Sequence, residues 1–299
     1  MTGPAGLPFR VNGRLPELGT PVMVMMLSGW IDASNSAAAA MEHLCEATDS
    51  EPLVEFDADT FMDFRARRPV MELREGVNTR IVWSCPRLWV ARDEAGTPYV
   101  LLSGPEPDHA WNLFARTVAA LAGQLRVSKA IGIGAYPYAA PHTRPIGLTA
   151  TSPDPAIIER LTLSRNSLDV PAGIEPVIEH ELHAAGVASM CIWAQVPHYV
   201  SSMAHPAASA ALIDAVSAES GLRLDARRFH REAGVQRERL DQLVQNNPEH
   251  VEMLRTLELA HDEAVGSGDS TRASELDLPS VDEIAAEVEQ FLRDQQTGG

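Results

Sequence analysis

The first strong hydrophobic signal is an unbroken apolar run, Val22 to Leu27 (VMVMML). It is followed by Ser28-Gly29-Trp30-Ile31-Asp32 and then by an alanine-rich stretch, Ser34 to Ala47. A short apolar run without alternation predicts a strand buried on both faces, as in a parallel sheet, and the alanine-rich stretch predicts a helix behind it. Leu53 to Phe56 predicts a second strand. From Arg80 to Val90, Ile81, Trp83 and Cys85 alternate with polar neighbours; Pro86 interrupts the pattern and Leu88 resumes it. Asp93-Glu94-Ala95-Gly96 predicts a turn and Tyr99 to Ser103 the returning arm of a hairpin. Trp111, Phe114, Val118, Leu121 and Leu125 recur at helical spacing, which predicts a helix over 108–125 with Asp108 as its N-cap.

Ala130 to Ala135 (AIGIGA) predicts a small-residue strand, and a proline-rich loop follows it, Tyr136-Pro137-Tyr138 to Pro141-His142-Thr143-Arg144-Pro145. Glu175 to Ala185 predicts a helix with Pro176 in its first turn and Gly186 as its stop. Val187 to Val196 predicts another central strand, and Pro206 to Ser220 a helix closed by Gly221. This β-α rhythm defines an α/β sandwich with an at least partly parallel sheet. From about Asp225 the strand signal ends. Helical spacing covers 226–245 and then, after Asn247-Pro248, runs to about Ala264. A Gly/Ser/Asp linker spans 266–274. Ser280 with Glu283 forms a capping box, and Val281, Ile284, Val288, Phe291 and Leu292 make an apolar stripe. The expected organisation is an α/β core over 1–224 and an acidic helical extension over 225–299, with the terminal stripe docked on the protein's own assembly.

Charge sharpens this division. The chain of 299 residues carries 41 acidic and 24 basic residues, a net charge of −17. Residues 240–299 hold 14 acidic residues against three arginines, whereas 1–239 hold 27 against 21. No basic cluster occurs beyond Arg65, Arg67 and Arg68, so neither nucleic acid nor an anionic membrane surface is an expected partner. No apolar run approaches membrane-spanning length. Met1 to Gly13 lacks a basic start followed by an apolar core, so no secretory signal is expected. Cys45, Cys85 and Cys191 are few and scattered, which points to reduced thiols in a cytoplasm. A single lysine, Lys129, among many arginines and alanines suggests a GC-rich bacterial genome.

The candidate chemistry centres on Gly29, Trp30 and Asp32. They leave the carboxyl end of a predicted central strand and enter a helix, where open α/β sheets place ligands and where helix-start amides hold anions. The competing reading makes Gly29 the turn, Trp30 a core plug and Asp32 a helix cap. His198 and His205, just past a strand end, could line a pocket with His142 and Arg144, the alternative being loop packing; His142, Arg144 and His198 could also converge on the Asp32 turn. Gly132-x-Gly134 lacks the third glycine of a dinucleotide loop and reads better as sheet–helix packing. His180 and His183 are spaced three apart, not the four of a zinc-protease helix, and read as a solvated face. There is no G-x-S-x-G elbow, and Cys191 falls mid-strand. No catalytic residue is assigned, and no metal or cofactor is expected.

Three segments carry a family resemblance: VMVMML with GWIDASNSAAAAMEHL, then IGIGAYPYAAPHTRP, then GVASMCIWAQVPHYV. Together they resemble the proteasome assembly chaperone 2 family in its actinobacterial branch, over about residues 20–265; the closing SVDEIAAEVEQFL is similar too. The resemblance implies a three-layer α/β/α fold with a mixed sheet, like nucleoside phosphorylases and related hydrolases. It implies homo-oligomers, trimers among them, and relatives that act as chaperones or binding partners of proteasomes. Some relatives dock by a terminal hydrophobic-Tyr-any motif, which Gln295 to Gly299 does not match. The expected function is therefore a cytoplasmic, non-enzymatic interaction protein. The alternative is an enzyme with a phosphorylase-like pocket for a small anionic substrate.

Overall fold

The computed structural model describes residues 6–47, 50–163, 165 and 167–267. Four parallel strands form the centre of an eight-stranded sheet: β7 (Pro98–Pro105), β2 (Val22–Ser28), β8 (Lys129–Tyr138) and β10 (Ala188–Pro197). Beyond β10 lies the antiparallel edge strand β9 (Leu148–Thr151). On the other flank β6 (Arg87–Arg92), β3 (Glu51–Phe56) and β1 (Phe9–Val11) follow in antiparallel steps. The sheet is therefore mixed, with the apolar unbroken runs at its parallel centre.

Alternation along β2 explains why that centre needs cover on both sides. Val24 and Met26 point into one core with helices α1 (Ser36–Ala47) and α6 (Pro206–Ser220). Met23, Met25 and Leu27 point into the opposite core with α3 (Trp111–Gln124) and α5 (Ile174–Ala184). The result is the expected three-layer α/β/α sandwich. In the second core Phe56, Phe61 and Phe114 form a trio with ring centroids 4.6 to 6.2 Å apart. Helix α7 (Arg227–Gln245) lies along α6 and sends Phe229 and Leu240 into the α1/α6 core. Helix α8 (Pro248–Ser267) packs on α7, with Leu257 its buried apolar residue. No helix among the described residues is long and apolar enough to cross a membrane.

Several local expectations are corrected. The stretch from Arg80 to Val90 is not one strand. Residues before Pro86 form β5 (Val77–Val82), which pairs with β4 (Val70–Arg74) in a separate two-stranded hairpin; residues after it form β6, which pairs with β7. Asp108 does not cap α3. Ala110 occupies that position, and Asp108 instead accepts the Asp63 amide at 2.8 Å and pairs with Arg67 at 3.1 Å. Strand β9 and the short helices α2 (Ala58–Phe61) and α4 (Pro155–Arg160) had no periodic signal long enough to be read. The apolar stripe at 281–292 lies outside the described residues.

Phe114 is fully buried between Phe56 and Phe61. Truncating it opens a cavity that rigid strand neighbours cannot collapse. Phe114→Ala is expected to cost about 3–5 kcal/mol of stability, read as a fall in the urea midpoint at unchanged slope.

Candidate functional site

At the carboxyl end of β2 the chain turns through Gly29, whose φ of +134° and whose neighbours leave no room for a side chain. A Cβ there would lie 2.8 Å from Glu106 Cγ and 3.0 Å from Arg67 Nη2. Trp30 is 48% exposed and rests against Gly173. Asp32, half-buried, turns its carboxylate onto the start of α1: Oδ1 accepts the Ala37 amide and Oδ2 the Ala38 amide, both at 2.9 Å. Asp32 acts as the expected cap of α1, but the expectation that Trp30 plugs the core is corrected: its ring lies at the surface over Gly173. The helix-start amides that would hold an anion are already taken by Asp32.

Behind this turn lies a set of carboxyls. Glu106 follows β7; its amide donates to the Ser28 carbonyl at 2.7 Å and its Oε2 accepts the Ile174 amide at 3.3 Å. Glu175, in the first turn of α5, has Oε1 accepting the Leu27 amide at 3.0 Å and Oε2 accepting the Cys191 thiol at 3.0 Å. One helical turn on, Glu179 accepts the Thr151 hydroxyl at 3.4 Å. Gly132 makes this possible, since a Cβ there would lie 2.7 Å from Glu175 Oε2 and 2.5 Å from Cys191 Sγ. Gly134 lies likewise against the Trp193 ring. The sequence reading of these glycines as packing positions is the one the geometry follows.

Loss of water dominates the electrostatics. Burial pushes the Glu175 carboxyl up to about 7, opposed by its two hydrogen bonds and reinforced by Asp32 and Glu106. Burial pushes Glu179 up to about 8, with Glu175 adding to it. Burial also raises Asp32 and Glu106 above the ordinary carboxylate range. The Cys191 thiol is pushed well up by burial and by both glutamates, so it stays protonated and donates rather than attacks. Trp30, Asp32, Glu106, Glu175 and Trp193 line a partly open cavity of about 20 Å³, room for one water molecule and not for a substrate. The cluster can store protons and tie three elements together. Among the described residues no three His, Cys, Asp or Glu side chains gather as a metal-holding group.

The remaining candidates lie elsewhere. His142, Arg144 and His198 do not line the cavity beneath Trp30, so the expected convergence with Asp32 is not formed. The buried His142 is fixed by Tyr199 and α7. Its amide donates to the Tyr199 hydroxyl at 2.7 Å, that hydroxyl lies 2.8 Å from Nδ1, and Nε2 lies 3.1 Å from Asp241. Arg144 forms a two-pronged pair with Asp262 at 2.8 and 2.7 Å and reaches Glu258 at 3.2 Å. Thr143 also donates to Glu258. His198 opens a 3-10 turn, its ring edge-on to Tyr199 at 5.3 Å. His142 and Arg144 line a second cavity of about 360 Å³ between the 141–146 loop, α6 and α7. His180 and His183 are exposed on α5, as their spacing suggested.

Sequence reasoning missed Glu106, Glu175 and Glu179. The last two carried a signal: at i and i+4 they share the helix stripe of Ile178 and Leu182, an apolar face that predicts burial.

These features define a three-layer α/β/α protein whose carboxyl-edge turn lies over a cluster of carboxyls that burial shifts upward. The chain belongs to the PAC2 family, whose model matches residues 26–244. It is similar to a solved Mycobacterium tuberculosis protein of unknown function, at 31% identity over 89% of this chain and 92% of that one, with a TM-score of 0.78. A Corynebacterium glutamicum protein of unknown function is 28% identical over 87% of this chain and 99% of its own, with a TM-score of 0.79. The Mycobacterium tuberculosis proteasome-assembly chaperone homologue is 27% identical over 78% of this chain and 99% of its own, with a TM-score of 0.71. These relatives place the chain with the actinobacterial branch. No curated protein matches it.

Three expectations rest on these charges. The folded pKa values of Glu175 and Glu179 exceed the ordinary value of 4.5, so the unfolded chain gives up these protons first as pH rises. Stability should therefore fall between about pH 5 and pH 8, by up to about 1.4 kcal/mol per pH unit per group. Glu175→Gln and Glu179→Gln should each flatten that fall in urea midpoints measured across the range. Because Asp32 occupies the α1 amides and Arg144 is held by α8, phosphate should raise the melting temperature equally in wild type and Arg144→Ala. The same variant should speed hydrogen exchange of α8 amides, which lose their ionic tether.

Proposed function

We propose that this chain is a cytoplasmic, non-enzymatic, homo-oligomeric interaction protein with a chaperone-like role toward proteasome subunits, a trimer being the favoured assembly. The observation that carries this reading is the cavity at the carboxyl edge of the sheet. In this position an α/β enzyme would open a ligand pocket. Here the space holds about one water, Asp32 is spent on its own helix, and the Cys191 thiol is buried and protonated.

Membership of the PAC2 family and likeness to a proteasome-assembly chaperone homologue support a role carried by surfaces. Exposed apolar side chains at Trp30, Ile31 and the β4–β5 hairpin supply such surfaces. The alternative, an enzyme for a small anion, would need Asp32, Arg144 and His198 in one pocket, and they are apart.

The test is coexpression of the tagged chain with the α and β proteasome subunits of its own organism, followed by size exclusion and native mass spectrometry. The expected result is a stable complex with a proteasome subunit and a changed yield of assembled particles. Absence of any complex, with particle yield unchanged, would overturn the chaperone reading.

A further inference from the structure

The cavity between the 141–146 loop, α6 and α7 plays no part in the role above. It holds about 360 Å³, against about 20 Å³ beneath Trp30. Small-molecule sites offer ~300–1,000 Å³, so this space is large enough for one. Part of its lining is apolar and small. Ala207 and Ala211 come from α6, Ala233 and Gly234 from α7, with Ile146 and Leu240 beside them. A Cβ on Gly234 would meet nothing within 4 Å. Glycine inside a helix weakens it, and no crowding requires this one; what it keeps is open space.

Most polar groups around this space already have partners. His142 is held by Tyr199 and Asp241, Arg144 by Glu258 and Asp262, and His230 lies 2.9 Å from Asp214. Two groups are left unspent. The first is Arg237, whose guanidinium donates to the Thr143 carbonyl at 3.1 Å and pairs with no carboxylate among the described residues.

The second is His205, buried at the start of α6. The Gln236 group 2.5 Å from the Ala204 carbonyl is its NH2, because a carbonyl only accepts. Gln236 Oε1 therefore faces His205 Nδ1 at 2.9 Å, and Nδ1 carries the proton. That leaves Nε2 a bare acceptor, buried and without a partner among the described residues. Burial and the nearby His142 both disfavour a second proton on the ring. Native folds seldom leave a buried acceptor unpaired without a functional reason.

We propose that this cavity binds a small amphiphilic anion: a carboxylate on Arg237, an apolar ring against Ala207, Ala211 and Gly234, and a hydroxyl or N–H donated to His205 Nε2. Each part of the ligand meets a part of the lining that nothing else occupies. No hydroxyl or thiol side chain lines the cavity to act as a nucleophile, so binding alone is assigned to it. An occupant touches the 141–146 loop, α6 and α7 at once and so steadies the seat of α7. The role toward protein partners is independent of this site and is tested separately.

The probe is para-hydroxyphenylacetate, which carries all three parts. Its binding to the full chain is followed by saturation-transfer NMR and titration at millimolar concentration. Phenylacetate, which lacks the donor, and para-cresol, which lacks the carboxylate, are titrated beside it. Wild type should bind the probe, and each of the other two about tenfold more weakly. Arg237→Ala should weaken the probe by about tenfold and leave para-cresol unchanged. Gly234→Trp fills the open space and should abolish binding of all three, while circular dichroism melting shows the fold intact.

No binding of the probe by wild type overturns the site. Binding that survives Gly234→Trp lies elsewhere and overturns it as well. Undiminished affinity in Arg237→Ala removes the anion anchor, and equal affinity for phenylacetate removes the His205 contact. Either result overturns the assigned ligand class.

Discussion

Sealing the Glu175 carboxyl between α5 and the sheet is the constraint around which the carboxyl edge is arranged. A carboxylate taken out of water is costly unless it is protonated or well paired. Here burial pushes its pKa up to about 7, and it accepts one backbone amide and one thiol. Those two bonds join the end of β2 and the middle of β10 to the first turn of α5. The residue facing it must then be Gly132, because any Cβ would collide with the carboxyl. Glu106, bonded to the Ile174 amide, fastens the end of β7 to the same turn of α5. The space between these groups is what remains after close packing, and it is small for that reason.

A second organising contact attaches the C-terminal helices. Three acidic residues of this region are spent on the body: Asp241 on His142, Glu258 and Asp262 on Arg144. Helix α8 contributes little apolar burial beyond Leu257, so its seat depends on partly exposed ion pairs, which are individually weak and screened by salt. Helix α7 is different, because Phe229 and Leu240 anchor it in the α1/α6 core. The two helices are thus held by different forces, one by burial and one chiefly by charge.

A small cavity and open apolar surfaces divide the work between inside and outside. At the turn, Asp32 takes the Ala37 and Ala38 amides, while Glu106 and Glu175 take the Ile174 and Leu27 amides. The exterior leaves Trp30, Ile31 and a basic hairpin uncovered in an acidic molecule. This distribution supports the interaction role proposed above, and a fold by itself carries no activity.

Much of the architecture was legible in the chain. The unbroken run Val22 to Leu27, the helical spacing of Trp111 to Leu125 and the stops at Gly186 and Gly221 each mark an element by burial or backbone freedom, which are local properties. Gly29, Trp30 and Asp32 were recognisable as a strand-to-helix turn on the same ground. Other features were decided only by tertiary structure. Pro86 separates two sheets rather than bending one strand, because β6 finds β7 while β5 finds β4. Glu175 and Glu179 share the apolar face of α5, but their partners come only from the fold: the bond from Leu27 to Glu175 spans 148 residues. Arg144 looks like a ligand-binding arginine until Asp262, 118 residues away, reaches it. Periodicity reports which face of an element is buried; which side chains then meet depends on strand order and layer, and these are settled by contacts between residues far apart in the chain.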